Sequence, residues 1–159
     1  MRIPIVDESD NIINYKDIND RKPDDIYRVS SLWVTNSKGD ILLAKRALRM
    51  KRDPGKWGAA VAGTLEDDET YEENIIREAE EELGLKNIKP TLGLKLRKKE
   101  EWGFFVQRFD IVIDKDISEF EIQEEEVAEI KWFTKEQLKK ELTEHPDDFL
   151  KSIHDRMKE

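Results

Sequence analysis

Short apolar runs separated by polar turns dominate the first third of the chain. Two apolar pieces flank the polar segment Glu8–Asn11, and this arrangement predicts a hairpin over residues 1–14. Apolar and β-branched residues over Val29–Thr35 and Ile41–Ala44 flank a turn with the sequence SKGD, which predicts two further strands. The polar residues 15–25 predict a loop.

The middle of the chain changes from a strand pattern to a helical one. Residues Ala59–Ala62 are small and apolar, and they predict a short buried strand. Over Thr70–Leu83 the apolar residues recur at helical spacing, and Gly84 follows as a typical helix stop. The apolar positions on this predicted face are Ile75, Ile76, Ala79 and Leu83.

Strand and helix patterns alternate in the last third. Aromatic and β-branched residues predict strands over Phe104–Ile113 and Ala128–Phe133. Thr134 with Gln137 three residues later is typical of a helix start, and a last helix is predicted over residues 147–157. Strands flanked by helices indicate an α/β or α+β sandwich. A length of 159 residues without a linker-like segment predicts a single domain over residues 1–159.

The composition narrows the kinds of site that the chain can build. Its formal net charge of −9 argues against a general nucleic-acid binder, which needs clustered positive charge. There is no cysteine and only two histidines, both near the C-terminus, so a metal site elsewhere needs oxygen ligands. Such ligands favour Mg²⁺, Mn²⁺ or Ca²⁺. No apolar stretch is long enough for a membrane span or a signal peptide, so we expect a cytoplasmic protein without a membrane partner.

The candidate chemistry lies in the segment Gly63–Leu85, which reads GTLEDDETYEENIIREAEEELGL. Glu78, Glu81 and Glu82 stand at i, i+3 and i+4 of the predicted helix, so their side chains share one face. Three like charges on one face repel each other unless a cation lies among them. Taken alone, however, a glutamate-rich helix is more often a solvated surface than a metal site.

The spacing around these glutamates is more specific than the glutamates themselves. Gly63, Glu69, the pair Arg77-Glu78, the pair Glu81-Glu82 and Gly84 fill every fixed position of the pattern G-x5-E-x7-R-E-U-x-E-E-x-G-U, where U is apolar. This pattern is the Nudix box, and the segment resembles that of the Nudix hydrolase family. The resemblance implies a loop–helix–loop motif on an α/β/α sandwich with a mixed sheet, and cleavage of a phosphoanhydride bond.

The resemblance also implies roles for individual residues. Glu78, Glu81 and Glu82 are expected to be catalytic and to bind Mg²⁺, with Mn²⁺ as the alternative and the Gly63 carbonyl as a further ligand. Glu69 and Arg77 are expected to orient the motif through charge-assisted hydrogen bonds, although a plain surface ion pair explains them equally well.

The proton acceptor has two candidates. Glu78 is our first choice for the base that takes the proton of the attacking water, because it belongs to the motif. Glu126, in the acidic run before Val127, is the second, since a glutamate of a later loop takes this role in some family members. A solvated charge run is the competing interpretation of Glu126.

The region upstream of the box resembles isopentenyl-diphosphate isomerases. Arg46 and Lys51 lie in the basic stretch that faces a diphosphate in that branch, so we expect them to bind substrate. For both, loop charges that only aid solubility are nearly as good an explanation. The isomerase's cysteine and histidines are replaced by Ala62, Thr64 and Tyr27, and an alanine cannot donate a proton to an alkene. We therefore expect hydrolysis and not isomerisation.

Three functions compete at this stage. The first is an Mg²⁺-dependent pyrophosphohydrolase acting on a nucleotide, a nucleoside diphosphate-linked molecule or a related diphosphate. The second is a catalytically silent Nudix domain that senses such a ligand, and the third is an acidic interaction module without a metal. A homodimer, with the N-terminal hairpin as one candidate interface, is a family-level expectation.

Overall fold

Nine strands and three α-helices make up the computed structural model, which describes all 159 residues. The strands are β1 (Arg2–Val6), β2 (Ile12–Asp17), β3 (Ile26–Thr35), β4 (Ile41–Arg46), β5 (Trp57–Ala59), β6 (Val61–Thr64), β7 (Thr91–Lys99), β8 (Gly103–Val112) and β9 (Val127–Phe133). The helices are α1 (Tyr71–Leu83), α2 (Lys135–Glu144) and α3 (Lys151–Met157).

The long strand β3 organises the mixed sheet. It runs parallel to β8 over its whole length and pairs antiparallel with β1, β4 and β6. β4 in turn pairs with β5 and β9, and β7 pairs with β8. Because β6 lies beside the middle of β3, the chain leaves the sheet there and enters α1 directly above it.

Helices cover both faces of this sheet. Leu42 and Ala44 of β4 pack in the same cluster as α1, whereas their neighbours Ile41 and Leu43 pack with α2 and α3. Successive residues of a strand point to opposite faces, so α1 and the pair α2–α3 lie on opposite sides. The predicted α/β/α sandwich is confirmed.

Local signals explain the bounds of α1. The Thr70 hydroxyl accepts from the Glu73 amide, while the Glu73 side chain accepts from the Thr70 amide, which is a complete capping box. At the other end Gly84 has φ +68°, a left-handed conformation that glycine adopts without strain. Ile75, Ala79 and other apolar side chains of α1 are fully buried against the sheet, so the helix is held firmly over β3 and β6.

The structure refines several predicted bounds. β2 continues to Asp17, the small apolar segment is split into β5 and β6 by a bend at Ala60, and α3 begins at Lys151 because Pro146–Asp148 forms a 3-10 turn. β7 (Thr91–Lys99) was not predicted, since its lysines and exposed leucines hide the alternating pattern of a strand. None of the helices has the length and apolar character needed to cross a membrane.

Candidate active site

Gly63 on β6 and Glu78 on α1 pack directly against each other. A Cβ atom built on Gly63 would lie 2.6 Å from both Cγ and Cδ of Glu78, well inside van der Waals contact. Glycine is therefore the residue that lets the strand and the glutamate approach so closely. The contact also places the Gly63 backbone beside the Glu78 carboxylate, as the predicted metal site requires.

Three carboxylates converge next to this contact. One oxygen each from Glu78, Glu82 and Glu126 lies within 4.8 Å of the other two. Glu82 is only 7% exposed, and Glu78 and Glu126 are partly buried. Glu78 and Glu82 come from successive turns of α1, whereas Glu126 arrives from the loop before β9.

Backbone hydrogen bonds bring Glu126 to the helix, although it lies far away in sequence. The amides of Glu121 and Gln123 donate to the carbonyls of Leu83 and Glu82, at 3.1 and 3.0 Å, so the loop uses carbonyls that the end of α1 leaves free. The Ala47 amide then donates to the Glu126 carbonyl at 2.9 Å. The loop is thus fixed to the helix on one side and to the residues after β4 on the other.

Crowding and burial raise the pKa values of Glu78 and Glu82. Burial, followed by the charges of Glu78 and Glu126, raises the pKa of Glu82 far above that of an ordinary glutamate. Burial likewise raises the pKa of Glu78, although the charge of Arg77 partly offsets it. Close, buried oxygen ligands that repel one another are a donor set that a hard divalent cation fits, because the ion neutralises them. These three residues, with the Gly63 carbonyl, are the ones that would hold such an ion.

Glu81 lies outside the cluster. Its side chain is 50% exposed and accepts hydrogen bonds from Nη1 of Arg77 at 3.1 and 3.3 Å. Of the three helix glutamates that the sequence groups together, the structure brings Glu78 and Glu82 to the cluster and pairs Glu81 with an arginine.

Glu69 and Arg77 form the main ion pair of the motif. Nε and Nη2 of Arg77 donate to the two carboxylate oxygens of Glu69 at 2.9 and 3.0 Å, the parallel geometry that arginine favours. Burial alone would raise the pKa of Glu69, but the hydrogen bonds from Arg77, the Glu66 amide and Asn74 outweigh it and hold that pKa below its usual value. Nη1 of Arg77 also lies 3.2 Å from Glu78, so Arg77 links Glu69 to the acidic cluster.

Asn74 is a buried link that the sequence does not single out. Its Oδ1 accepts from the hydroxyl of Ser30 on β3, and its Nδ2 donates to the Thr64 carbonyl at 3.2 Å and to Glu69 at 3.3 Å. Asn74 and Ser30 are fully buried. A variable position of the motif gives no signal for such a role, which depends on β3 lying beneath the helix.

The two predicted substrate-binding residues have different surroundings. Nε of Arg46 donates to the Arg52 carbonyl at 2.9 Å, so this side chain helps to shape the basic loop. Lys51 is exposed and lines a cavity together with Arg52. Tyr27, which stands where the isomerases have a metal-binding histidine, is buried and accepts a hydrogen bond from Arg52 at 3.2 Å.

Comparison with known proteins agrees with the motif and the fold. The family model described as NUDIX domain matches residues 26–153. The chain belongs to the Nudix family. An uncharacterised Nudix hydrolase of Listeria innocua is 32% identical over 116 residues, which cover 73% of this chain and 68% of the relative. A second, from Yersinia pestis, is 29% identical over 156 residues, covering 95% of this chain and 82% of the relative.

Solved structures and isomerases add two details to this Nudix assignment. The structure of DR0079 from Deinococcus radiodurans superposes with a TM-score of 0.75 at 21% identity, covering 91% of this chain and 90% of that one, which shows the shared fold. An isopentenyl-diphosphate Delta-isomerase of Salmonella paratyphi B is 44% identical over 55 residues, 35% of this chain and 30% of the isomerase. The family resemblance and the likeness to the isomerase branch are both confirmed.

Proposed function

We propose that this Nudix protein is an Mg²⁺-dependent pyrophosphohydrolase that cuts a phosphoanhydride bond in a nucleoside diphosphate-linked or related small molecule. The observation that carries the proposal is the convergence of Glu78, Glu82 and Glu126 beside Gly63. Mn²⁺ is the alternative ion, since the same oxygen ligands suit both. A cytoplasmic location and a homodimer are the accompanying expectations.

The acidic cluster suits hydrolysis better than ligand sensing. A site that only bound an anionic diphosphate would be weakened by three partly or fully buried carboxylates, because they repel the ligand. With a divalent ion bound, the same carboxylates would favour catalysis, since the ion would neutralise phosphate oxygens and lower the pKa of a bound water. Crowding the three carboxylates destabilises the free protein, but a metal-dependent catalyst needs them to hold the ion.

Residues of the protein would then hold the ion, position Glu78 and accept the proton of the attacking water. Glu82 and Glu126 are proposed as ion ligands, and the Glu69–Arg77 pair fixes Glu78 through the contact of Arg77 with that carboxylate. We propose Glu78 as the first candidate for the base, because it belongs to the motif and its carboxylate lies next to those of Glu82 and Glu126. Glu126 is the second candidate.

The isomerase reaction is not part of the proposal. Ala62 is exposed on β6 in the position next to Gly63 where the isomerases have their cysteine. A methyl group cannot protonate an alkene, so the upstream likeness concerns the scaffold and the basic loop.

The test is a hydrolysis assay on a panel of nucleotides, sugar nucleotides and dinucleotides with Mg²⁺, comparing the wild type with Glu82→Gln and Glu80→Gln. Glu80 is an exposed helix residue of the same type and is the matched control. We expect Glu82→Gln to lower kcat/KM at least about 100-fold, because transition-state stabilisation by the ion depends on it. Glu80→Gln should leave kcat/KM unchanged.

Two outcomes would overturn the proposal. Hydrolysis that is indifferent to Glu82→Gln would remove the assigned metal site. An absence of hydrolysis across the whole panel, with nucleotide binding that is unaffected by this substitution, would instead establish the sensor function. Circular dichroism of each variant shows whether the fold is retained.

A further inference from the structure

A fully buried carboxamide lies between the Nudix box helix and the sheet. Asn74 stands one turn before Glu78 on α1, and none of its surface is exposed. Ser30 of β3 is equally buried and hydrogen-bonds to Asn74. In the sheet Ser30 pairs with Gly63 of β6, the residue that contacts Glu78. The Ser30–Asn74 pair therefore lies beside the contact on which the acidic cluster is built.

The neighbours of Asn74 fix the orientation of its amide group. Its Nδ2 donates to the Thr64 carbonyl at 3.2 Å and to Oε1 of Glu69 at 3.3 Å, while its Oδ1 accepts from the Ser30 hydroxyl. A backbone carbonyl and an ionised carboxylate can only accept hydrogen bonds. The reversed amide would place Oδ1 against both of them, so this position requires a donor.

Packing alone does not call for an asparagine here. The other side chains of α1 without exposed surface are all apolar, namely Ile75, Ala79 and Leu83. Asparagine is also a weaker helix former than alanine, and burying an amide costs free energy unless hydrogen bonds compensate it. The hydrogen bonds of Asn74 are therefore the feature that distinguishes it from its buried neighbours.

These hydrogen bonds reach the acidic cluster by two routes. The first passes through Glu69, which accepts from Nε and Nη2 of Arg77, and Nη1 of Arg77 lies 3.2 Å from a carboxylate oxygen of the cluster. The second passes through the Thr64 carbonyl, which belongs to the peptide unit after that of the Gly63 carbonyl. Because each peptide unit is planar, fixing one restricts the orientation of the next.

We propose that Asn74 is a positioning residue of the metal site. Its amide group holds the Glu69 carboxylate and the Thr64 carbonyl at a fixed separation. These two groups in turn fix Glu78 on the helix and Gly63 on the strand, which would face the ion from opposite sides of the contact. The inference rests on the proposed function, since the ion and the reaction belong to that proposal. Partners that orient metal ligands typically change metal affinity or activity about 10- to 100-fold when they are removed.

Asn74→Leu tests the proposal, because leucine has the same branching and a similar size but forms no hydrogen bond. Gln107→Met is the matched control. Gln107 is a buried carboxamide beside Ser30 in the sheet, and its Nε2 donates to three carbonyls of β7 and β8, those of Gly93, Leu94 and Arg108. Both substitutions remove a buried hydrogen-bonding group, so both should lower the Tm.

Turnover and ion binding should separate the two variants. We expect Asn74→Leu to lower kcat about tenfold on the best substrate of the panel, with KM little changed. Its dissociation constant for Mg²⁺, measured by calorimetry without substrate, should rise about tenfold. Gln107→Met should keep the wild-type values of kcat and of Mg²⁺ affinity in spite of its lower Tm. If Asn74→Leu does not fold, the double variant Ser30→Ala/Asn74→Leu replaces it, since it leaves no unpaired Ser30 hydroxyl.

A measurement without metal distinguishes this proposal from the proposed function. In EDTA, Nε–H of Arg77 should give a slowly exchanging NMR signal in the wild type, because it donates to Glu69 at 2.9 Å. Asn74→Leu should shift or broaden this signal, and Gln107→Met should leave it unchanged. If the wild type neither binds Mg²⁺ nor hydrolyses any compound, the proposed function fails, and this signal alone decides whether Asn74 positions Arg77.

The proposal fails in either of two cases. In the first, a folded Asn74→Leu protein has the wild-type kcat, Mg²⁺ affinity and Arg77 signal. In the second, Gln107→Met shows the same losses as Asn74→Leu, because any missing hydrogen bond beneath α1 would then impair the site equally.

Discussion

One acidic side chain lies near the start of α1 and three lie near its last turns, and their surroundings differ. Near the first residue of the helix, Asp10 accepts from Arg28 and Lys95 at 2.7 Å each and from the Tyr71 hydroxyl at 3.0 Å. Near the last turns, Glu78, Glu82 and Glu126 share a site in which Arg77 is the one cation close to a carboxylate.

The pKa values of these carboxyl groups follow from the difference in their surroundings. Burial would raise the pKa of Asp10, but the hydrogen bonds from Lys95, Arg28 and Tyr71 outweigh it, so the pKa lies below its usual value. Burial and mutual repulsion raise the pKa of Glu82 instead. A paired carboxylate ties the N-terminal hairpin to the helix and the sheet, whereas the crowded ones are stable in their ionised form only with an added cation.

The largest effect on turnover should come from adding a side chain at Gly63, where the strand contacts Glu78. Gly63→Ala places a methyl group 2.6 Å from Cγ and Cδ of Glu78, so the Glu78 side chain has to leave its position. We expect kcat/KM to fall about 100-fold or more, with a lower Tm, because the ion ligands are displaced. Steady-state kinetics measure this loss, and near wild-type turnover would show that the contact is not needed.

Removing the paired carboxylate should act on stability and not on catalysis. Asp10→Asn leaves Arg28 and Lys95 without their partner, and since Asp10 is 10% exposed we expect a loss of about 2–3 kcal/mol in the free energy of unfolding. Urea unfolding measures it, and the exposed Asp24→Asn is the control. Because the folded pKa of Asp10 is lowered, the difference is full above about pH 4 and shrinks as the pH falls through that lowered value. A pH-independent difference would contradict the ion-pair explanation.

Breaking the Glu69–Arg77 pair should have an intermediate effect on turnover. Glu69→Gln removes the charge that holds Arg77 against Glu78, so we expect kcat to fall about tenfold with KM little changed. Glu66→Gln is the matched control, since Glu66 lies 3.5 Å from the same arginine and makes no hydrogen bond to it. Equal losses in both variants would indicate a general role of negative charge instead of positioning.

Of Glu78, Glu81 and Glu82, Glu81 should show the smallest effect when it is changed to Gln. Its exposed i,i+4 pair with Arg77 contributes about 0.3–0.5 kcal/mol at most. We therefore expect kcat/KM to fall less than tenfold. A loss as large as that of Glu82→Gln would place Glu81 among the ion ligands after all.

Much of this molecule could be predicted from its sequence. The glycine at position 84 and the apolar spacing over Thr70–Leu83 identify α1 almost to the residue, because these signals are local. The gapped spacing of Gly63–Leu85 identified the family. In contrast, β7 pairs through its backbone and carries a mostly exposed, basic sequence, so no hydrophobic period marks it.

The parts of the site that could not be predicted depend on tertiary contacts. Glu126 was a candidate only through the family resemblance, because it reaches the cluster through amides of its own loop that bond to the end of α1. Helical spacing predicts Glu81 on the same face as Glu78 and Glu82. In the structure Glu81 instead pairs with Arg77 at the surface.

The central claim is that Glu78, Glu82 and Glu126 are a cation site, and thermal unfolding with and without Mg²⁺ tests it most directly. In EDTA, Glu82→Gln should have a higher Tm than the wild type, increasingly so as the pH rises, because it removes a crowded charge. Saturating Mg²⁺ should raise the Tm of the wild type and of Asp10→Asn, but not that of Glu82→Gln. A Glu82→Gln protein that is less stable in EDTA and still gains the full increase with Mg²⁺ would contradict the assignment.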